Sequence, residues 1–342
     1  MYKRREGDCS IYILSELNFG LRRYIPLMQN QKSFEISTLV DRKALFVVSS
    51  GGHLQEAMLI QKKFGLSEKS IFLTHENEQT KSLLSNCEHY FLPKVGTRDW
   101  TNAIIVSKEI LSVYRNLEFD LIISTGAAVA VAALPLHLIS RKSFIYVESL
   151  TRTQSPSLTG RILELIPSVI CLSSNFGNPR PGWKEIKSPL SELSSVKRWG
   201  GKRNFKILVT LGTHSQFRFD RLIEIILGAI REDDFITWQI DFDPRIKLPG
   251  KVVKQFSDQE FLDLASNADV VITHCGIGNL LRLINLGIKP VAIPRISSFH
   301  EHIDDHQIDA YSLFYAANLI GNSVGKITRQ DLEYASCFRL KK

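Results

Sequence analysis

The chain has 342 residues, 44% of them hydrophobic, and 43 Lys+Arg against 35 Asp+Glu give a formal net charge of +8. That is enough chain for two domains with real cores, and the charge favours anionic partners such as nucleotide phosphates, phospholipid headgroups or nucleic acid without choosing among them. The five cysteines (Cys9, Cys87, Cys171, Cys275, Cys337) are widely spaced with no C-x-x-C pair, which argues against a disulfide frame or structural zinc site and fits a reducing cytoplasm. No run of about 18 apolar residues is present, so no membrane-spanning helix is expected.

Met1 to Lys43 carries Arg4, Arg5, Arg22, Arg23 and Tyr24 but no long apolar stretch, and it reads as an irregular or helical extension rather than a signal peptide. Ala44-Leu-Phe-Val-Val48 is a continuous apolar run of the kind that buried parallel strands show. The turn Ser49-Ser50-Gly51-Gly52-His53 follows, and then a helical period through Leu54, Ala57, Met58 and Gln61. Further strands are predicted at Ser70–Leu73, His89–Leu92, Leu121–Ser124, Phe144–Val147 and Val169–Leu172, with helices over Trp100–Asn116 and Ala127–Ile139. From Pro179 to Asn204 the composition is that of a linker, with Pro179, Pro181, Gly182, Pro189 and Gly200-Gly201.

The pattern then restarts. Strand Phe205–Leu211, turn Gly212-Thr213-His214-Ser215 and helix Phe219–Ile230 come first. Strands near Ile236–Phe242, Val252–Phe256, Val270–Thr273 and Pro290–Ile293 follow, and Asp331–Lys342 reads as a terminal helix with a basic end. Strand alternating with helix predicts an α/β chain with two Rossmann-like, doubly wound parallel-sheet halves facing a cleft. The boundaries are an extension over 1–43, a first domain over 44–190, a linker over 191–204, a second domain over 205–330 and a tail over 331–342.

The richest segment is Val270–Gln307. A buried strand ends in His274-Cys275-Gly276-Ile277-Gly278, where a helix opens, and backbone N–H groups at such a helix start suit a diphosphate. A second strand delivers Arg295 and then His302, Asp305, His306 and Gln307 to the same edge. In the first turn, Gly51 and Gly52 let the backbone bend sharply. His53 stands at a helix N-terminus, which lowers its pKa and makes a neutral general base; the turn is equally well explained as plain strand-to-helix geometry. Glu148 ends a strand, as a ligand-facing acid or as a loop acid or cap. Thr125 and Gly126 form another strand-end turn, for ligand or for packing. Gly212, Thr213, His214 and Ser215 can meet a diphosphate or an acceptor hydroxyl, or cap the next helix.

Two metal motifs are set aside. Asp241-Phe242-Asp243 is a D-x-D tripeptide of a common kind that ends a strand before Pro244. His302 and His306 are four apart but have no H-E-x-x-H order and no third ligand. The absence of G-x-G-x-x-G discounts NAD.

Taken together, the motifs resemble a fused form of the two-subunit N-acetylglucosaminyltransferase of dolichol-linked oligosaccharide assembly, and its bacterial capsule and exopolysaccharide relatives. Residues 44–172 resemble the acceptor-side subunit through Ser50-Gly51-Gly52-His53, Asp120-Leu-Ile-Ile-Ser-Thr-Gly126 and Tyr146-Val-Glu148-Ser149 with Arg152 and Ser157-Leu-Thr-Gly160. Residues 205–310 resemble the donor subunit, similar to glycosyltransferase family 28, through Val209-Thr-Leu-Gly212-Thr213, Phe219-Asp-Arg-Leu222, His274-Cys-Gly276-Ile-Gly278 and Pro294-Arg295 with Asp304-Asp-His306-Gln307. A more distant likeness is to the peptidoglycan transferase that makes lipid II.

The resemblance implies a GT-B fold and an inverting transferase that needs no metal or other cofactor. It implies transfer from a UDP-sugar (glucuronate, galactose or N-acetylglucosamine) to a polyprenyl-diphosphate-linked saccharide in surface-polysaccharide assembly. On the donor side it implies Gly212, Thr213, His214, His274, Gly276, Gly278, Asn279, Arg295, His302, Asp305, His306 and Gln307. On the acceptor side it implies Gly51, Gly52, Thr125, Gly126 and Arg152, with His53 and Glu148 as the catalytic pair. Arg282 stands where the family carries a ribose-gripping glutamate. The expected setting is peripheral, on the anionic cytoplasmic face of the inner membrane, with no nucleic-acid partner and the oligomeric state open. The alternatives are a non-catalytic lipid-acceptor scaffold and a UDP-sugar epimerase.

Overall fold

The computed structural model describes residues 35–96, 99–152, 155–174, 180–198, 203–212, 217–302, 305–321 and 326–341. The predicted sites Thr213 and His214, and most of the basic extension, lie outside them. Residues Ile36–Leu39 form a 3-10 turn.

From Asp41 onward the chain builds two parallel sheets. The first holds β1 (Ala44–Val47), β2 (Ile71–His75), β3 (Glu88–Leu92), β4 (Leu121–Ser124), β5 (Ser143–Val147), β6 (Val169–Ser173) and β7 (Trp183–Glu185), in the order β3-β2-β1-β4-β5-β6-β7. Its connections carry α1 (Gly52–Lys63), α2 (Glu78–Leu83), α3 (Trp100–Val113), α4 (Ala128–Ala132), α5 (Leu134–Ser140) and α6 (Leu158–Leu163). After β8 (Ser194–Lys197), the second sheet holds β9 (Lys206–Thr210), β10 (Phe235–Gln239), β11 (Lys251–Val253), β12 (Val270–His274) and β13 (Val291–Ile293), in the order β11-β10-β9-β12-β13. Its helices are α7 (Asp220–Leu227), α8 (Asp258–Asn267), α9 (Ile277–Asn285), α10 (His306–Ala316) and α11 (Arg329–Ser336). The last strand, β14 (Phe338–Lys341), pairs antiparallel with β8.

The apolar runs are continuous because both faces of each sheet are covered. All four residues of β1 and of β4 are buried, and so are all three of β13. In each sheet the order reverses beside the first strand, between β1 and β4 and between β9 and β12. Ligands of open α/β sheets bind at such reversals, beyond the carboxyl ends of the strands.

Three sequence expectations are corrected. The helix expected over Ala127–Ile139 is two helices, because Pro135 cannot donate within a helix but fits at the start of the next. The terminal helix stops at Ser336, and Phe338–Lys341 is a strand with Leu340 inward; its partner β8 lies too far back in the chain for local pattern to show it. The linker-like stretch supplies both β7 and β8.

The helices α1 and α9 pack N-terminus to N-terminus. A Cβ at Gly278 would stand 3.1 Å from the Gly52 nitrogen and 3.3 Å from the Gly51 carbonyl carbon, and a Cβ at Gly52 would collide with Ile277. Around this contact Leu59, Leu150 and Leu190 share one core with Leu280, Leu281, Ile284 and Phe314. Gly278 therefore makes room for the facing helix, a reason for glycine in addition to the diphosphate contact expected of this turn. Gly278→Val should lower stability by about 1–3 kcal/mol through overpacking. Urea denaturation checks this, and an unchanged midpoint would return Gly278 to a purely ligand-facing role.

Candidate functional site

At the first reversal, Gly51 (φ 76°) turns the chain from β1 into α1 with no side-chain cap. His53, one residue inside the helix, lays its ring over Gly126 of the β4 turn. Gly126 has φ 132°, and a Cβ there would come within 2.7 Å of His53 Cε1, so only glycine leaves space for the imidazole. Thr125 fixes the same turn by donating its hydroxyl to the His53 carbonyl at 2.7 Å.

His53 Nδ1 is buried 3.3 Å from Glu56 Oε2, while the His53 side chain keeps 30% of its surface exposed. With Nδ1 against the acid, Nε2 is the ring nitrogen that Glu56 does not engage. Burial lowers the His53 pKa, but the Glu56 carboxylate, the charge of Glu148 and the Thr125 backbone outweigh it, and the net direction is upward. The neutral imidazole expected from the helix N-terminus is corrected on this point: two nearby carboxylates override the helix end.

Glu56 did not stand out in the sequence. It is 3% exposed, and its other oxygen accepts from Ser149 Oγ at 2.8 Å and Leu150 N at 3.0 Å. The available signal was its i,i+3 spacing from His53 on a helix, which places the two side chains on one face.

Glu148 is also 3% exposed, and both its oxygens are engaged. Oε1 accepts from Tyr146 OH at 3.0 Å and Ser149 N at 3.2 Å, and Oε2 accepts from Ser157 N at 2.8 Å and Ser157 Oγ at 3.2 Å. Burial raises its pKa against these hydrogen bonds. This geometry makes Glu148 the tie between Ser149 and Ser157, where the sequence placed it in a catalytic pair with His53 or as a loop acid or cap. Arg152, between those two serines in the chain, is exposed.

The second reversal has a parallel construction. A Cβ at Gly212 (φ 81°) would stand 2.9 Å from His274 Cε1, and one at Gly276 would also strike the His274 ring. The imidazole thus lies between two glycine turns, beside the uncapped start of α9. Asn279 turns inward, donating to Thr210 and Thr273 hydroxyls at 2.6 Å each, and so ties the ends of β9 and β12 together.

Arg295 is 3% exposed and caged. It donates to the carbonyls of Leu211 (2.8 Å), Phe217 (3.0 Å) and Glu301 (3.1 Å), with its guanidinium carbon 4.8 Å from the Phe219 ring centroid. Burial lowers its pKa to about 10, so it remains charged at neutral pH. Gln307, also buried, accepts from the Arg295 backbone N–H, and Asp305 holds Ser297 through both carboxylate oxygens. His302 stacks on Phe217 at 5.6 Å and meets His306 edge-on at 4.6 Å. Arg282 lies 3.8 Å over the Phe261 ring, against α8.

The structure therefore gathers His53, Gly51, Gly52, Thr125 and Gly126 at one reversal and Gly212, His274, Gly276 and Gly278 at the other. The α1–α9 contact places the two turns side by side. Arg295 with Gln307 behind it, and Asn279, brace the second turn from inside, while exposed Asp305 holds the loop at Ser297.

No family model and no curated protein matches the sequence. Among solved structures, MurG of Acinetobacter baumannii superposes with a TM-score of 0.50 at 15% identity, over 85% of this chain and 89% of that one. The glycosyltransferase SnogD of Streptomyces nogalater gives 0.50 at 16% identity, over 86% and 94%. The fold is GT-B. Two Rossmann-like halves wound in this order, with their strand ends turned toward one another, are its construction.

Arg295→Lys keeps the charge but loses the planar fork that reaches several carbonyls at once. It should cost about 2–4 kcal/mol, because buried acceptors lose their donors. Urea denaturation measures this, and a loss under about 0.5 kcal/mol, the range of ordinary surface substitutions, would show that the cage is not structural.

Proposed function

We propose that this protein is an inverting glycosyltransferase that moves a sugar from a UDP-sugar to a polyprenyl-diphosphate-linked saccharide in surface-polysaccharide assembly. The observation that carries this reading is the meeting of two unlike turns. A histidine braced by a carboxylate stands at the end of the first sheet, and an open helix N-terminus beside a glycine-flanked histidine stands at the end of the second.

The first is suited to accepting a proton and the second to holding a diphosphate. His53 Nε2 takes the acceptor hydroxyl proton as the oxygen bonds to the anomeric carbon. The bond from that carbon to the β-phosphate oxygen breaks, and its electron pair leaves with UDP. The N–H groups at the start of α9 and the His274 side stabilise the departing charge. No metal is needed in this scheme.

Incubation with a UDP-sugar panel and polyprenyl-diphosphate lipid, with and without EDTA, tests the reading by mass spectrometry of the lipid. Sugar added to lipid in both arms is the expected result. Activity lost to EDTA and restored by manganese would bring back the Asp241-Phe242-Asp243 metal site. A donor sugar altered without lipid would point to an epimerase, and no turnover of any donor would favour the scaffold.

His53→Ala should reduce turnover about 10²–10⁴-fold, the usual contribution of a positioned base, with UDP affinity little changed. Because the base works unprotonated and its pKa is raised, the acid limb of the pH–rate profile should lie above the ordinary histidine value of 6.5. Near wild-type turnover in His53→Ala would remove this role.

No helix among the described residues is long and apolar enough to cross a membrane. For the lipid-linked acceptor the proposed peripheral contact is a set of exposed apolar and basic residues. Ile104 (60% exposed) and Ile105 (46%) on α3, and Leu138 (60%) and Ile139 (55%) on the adjoining α5, are flanked by exposed Lys108, Arg141 and Lys142. Each basic residue near an anionic surface contributes about 1 kcal/mol, weakening with salt. Liposome flotation should therefore show binding that rises with anionic lipid and falls with salt, and no binding at low salt would refute the peripheral contact.

A further inference from the structure

We propose that Glu56 is the positioning residue of His53, holding the imidazole with its proton on Nδ1 and coupling that orientation to the Ser149–Leu150 turn. This rests on the reading of His53 as the base, but its structural part can be tested without substrate. Each oxygen of the buried carboxylate faces a different element. Oε2 lies 3.3 Å from His53 Nδ1, and Oε1 is held by the Ser149 hydroxyl and the Leu150 N–H.

A carboxylate fixed on one side cannot turn away from the ring on the other. The ring is further confined by Gly126 beneath it. The charged groups facing His53 are Glu56 from its own helix and Glu148 from the end of β5, while the β4 turn offers the Thr125 backbone. Of the two acids, Glu148 is held in place by Tyr146, Ser149 and Ser157, and Glu56 is the one in contact with the ring.

Two consequences follow from the bridge. Nε2 is the atom presented to an acceptor hydroxyl, in the unprotonated state a base requires. Arg152 follows the turn that is linked through Ser149 and Glu56 to the base, so displacement of that turn frees Oε1 and with it the fixed orientation of the carboxylate facing Nδ1.

The test is nitrogen-15 NMR of the full chain, with His53 assigned by comparison with His53→Gln. In the wild type, neutral His53 should show the Nδ1–H form and titrate above 6.5. Glu56→Gln keeps an acceptor for Nδ1–H but removes the charge, so the Nδ1–H form should persist while the midpoint falls by about one pH unit or more. Glu56→Ala removes both, so the tautomer preference should also be lost.

Folding is checked by circular dichroism, and where Glu56→Ala does not fold, Glu56→Gln decides. A folded Glu56→Gln whose His53 titrates as in the wild type would overturn the proposal. Because this readout needs no sugar or lipid, a normal NMR result with no transferase activity would reject the functional reading and leave the Glu56 bridge standing.

Discussion

The structure depends on a backbone contact. Two helices meet start to start, with Gly278 of one against Gly51 and Gly52 of the other, because no side chain stands between them. A helix N-terminus presents unsatisfied N–H groups and partial positive charge, so two of them brought together favour an anion between or beside them and disfavour a dry, unliganded seam. Close approach here also aligns everything attached to the two turns: His53 follows Gly52 directly, and His274 precedes Gly276. The shared core of Leu59, Leu150, Leu280 and Phe314 keeps that approach from being optional.

Around this seam the buried polar groups divide into two kinds. Glu148 and Arg295 are saturated with hydrogen bonds to their own surroundings, and they shape loops. His53 and Glu56 share a contact buried on one side and open on the other. In a medium of low dielectric the first kind is rigid and the second kind is responsive, since a proton gained or lost there is poorly screened. In the proposed function the chemistry falls to the second kind, and the first holds it in place. Arg295, with Gln307 behind it, is a brace of this sort: it links the end of β9 to the loop after β13 without exposing its charge.

The sequence by itself determined the parts that depend on neighbours in the chain. Unbroken apolar runs such as Leu121–Ser124 and Val270–Thr273 mark strands buried on both faces, and the repeat of strand, glycine turn and helix gave two doubly wound halves. Glycines after Ala44–Val48 and after Val270–Thr273 located the turns, and His53 and His274 with them. Tertiary structure decided what depends on partners distant in the chain. Phe338–Lys341 is a strand because Ser194–Lys197 lies beside it, and a four-residue alternation with a basic end does not announce that. Gly278 is bare because Gly52 is there, not for a ligand alone. Glu148, paired with His53 in the sequence reading, is an anchor because Ser157 and Tyr146 fill its lone pairs, while Glu56, an ordinary acid on a helix in the sequence, became the partner of His53 because Ser149 and Leu150 hold its other oxygen. Local pattern fixes which face of an element is apolar; the electrostatic role of a side chain is set by which groups surround it, and those come from all over the chain.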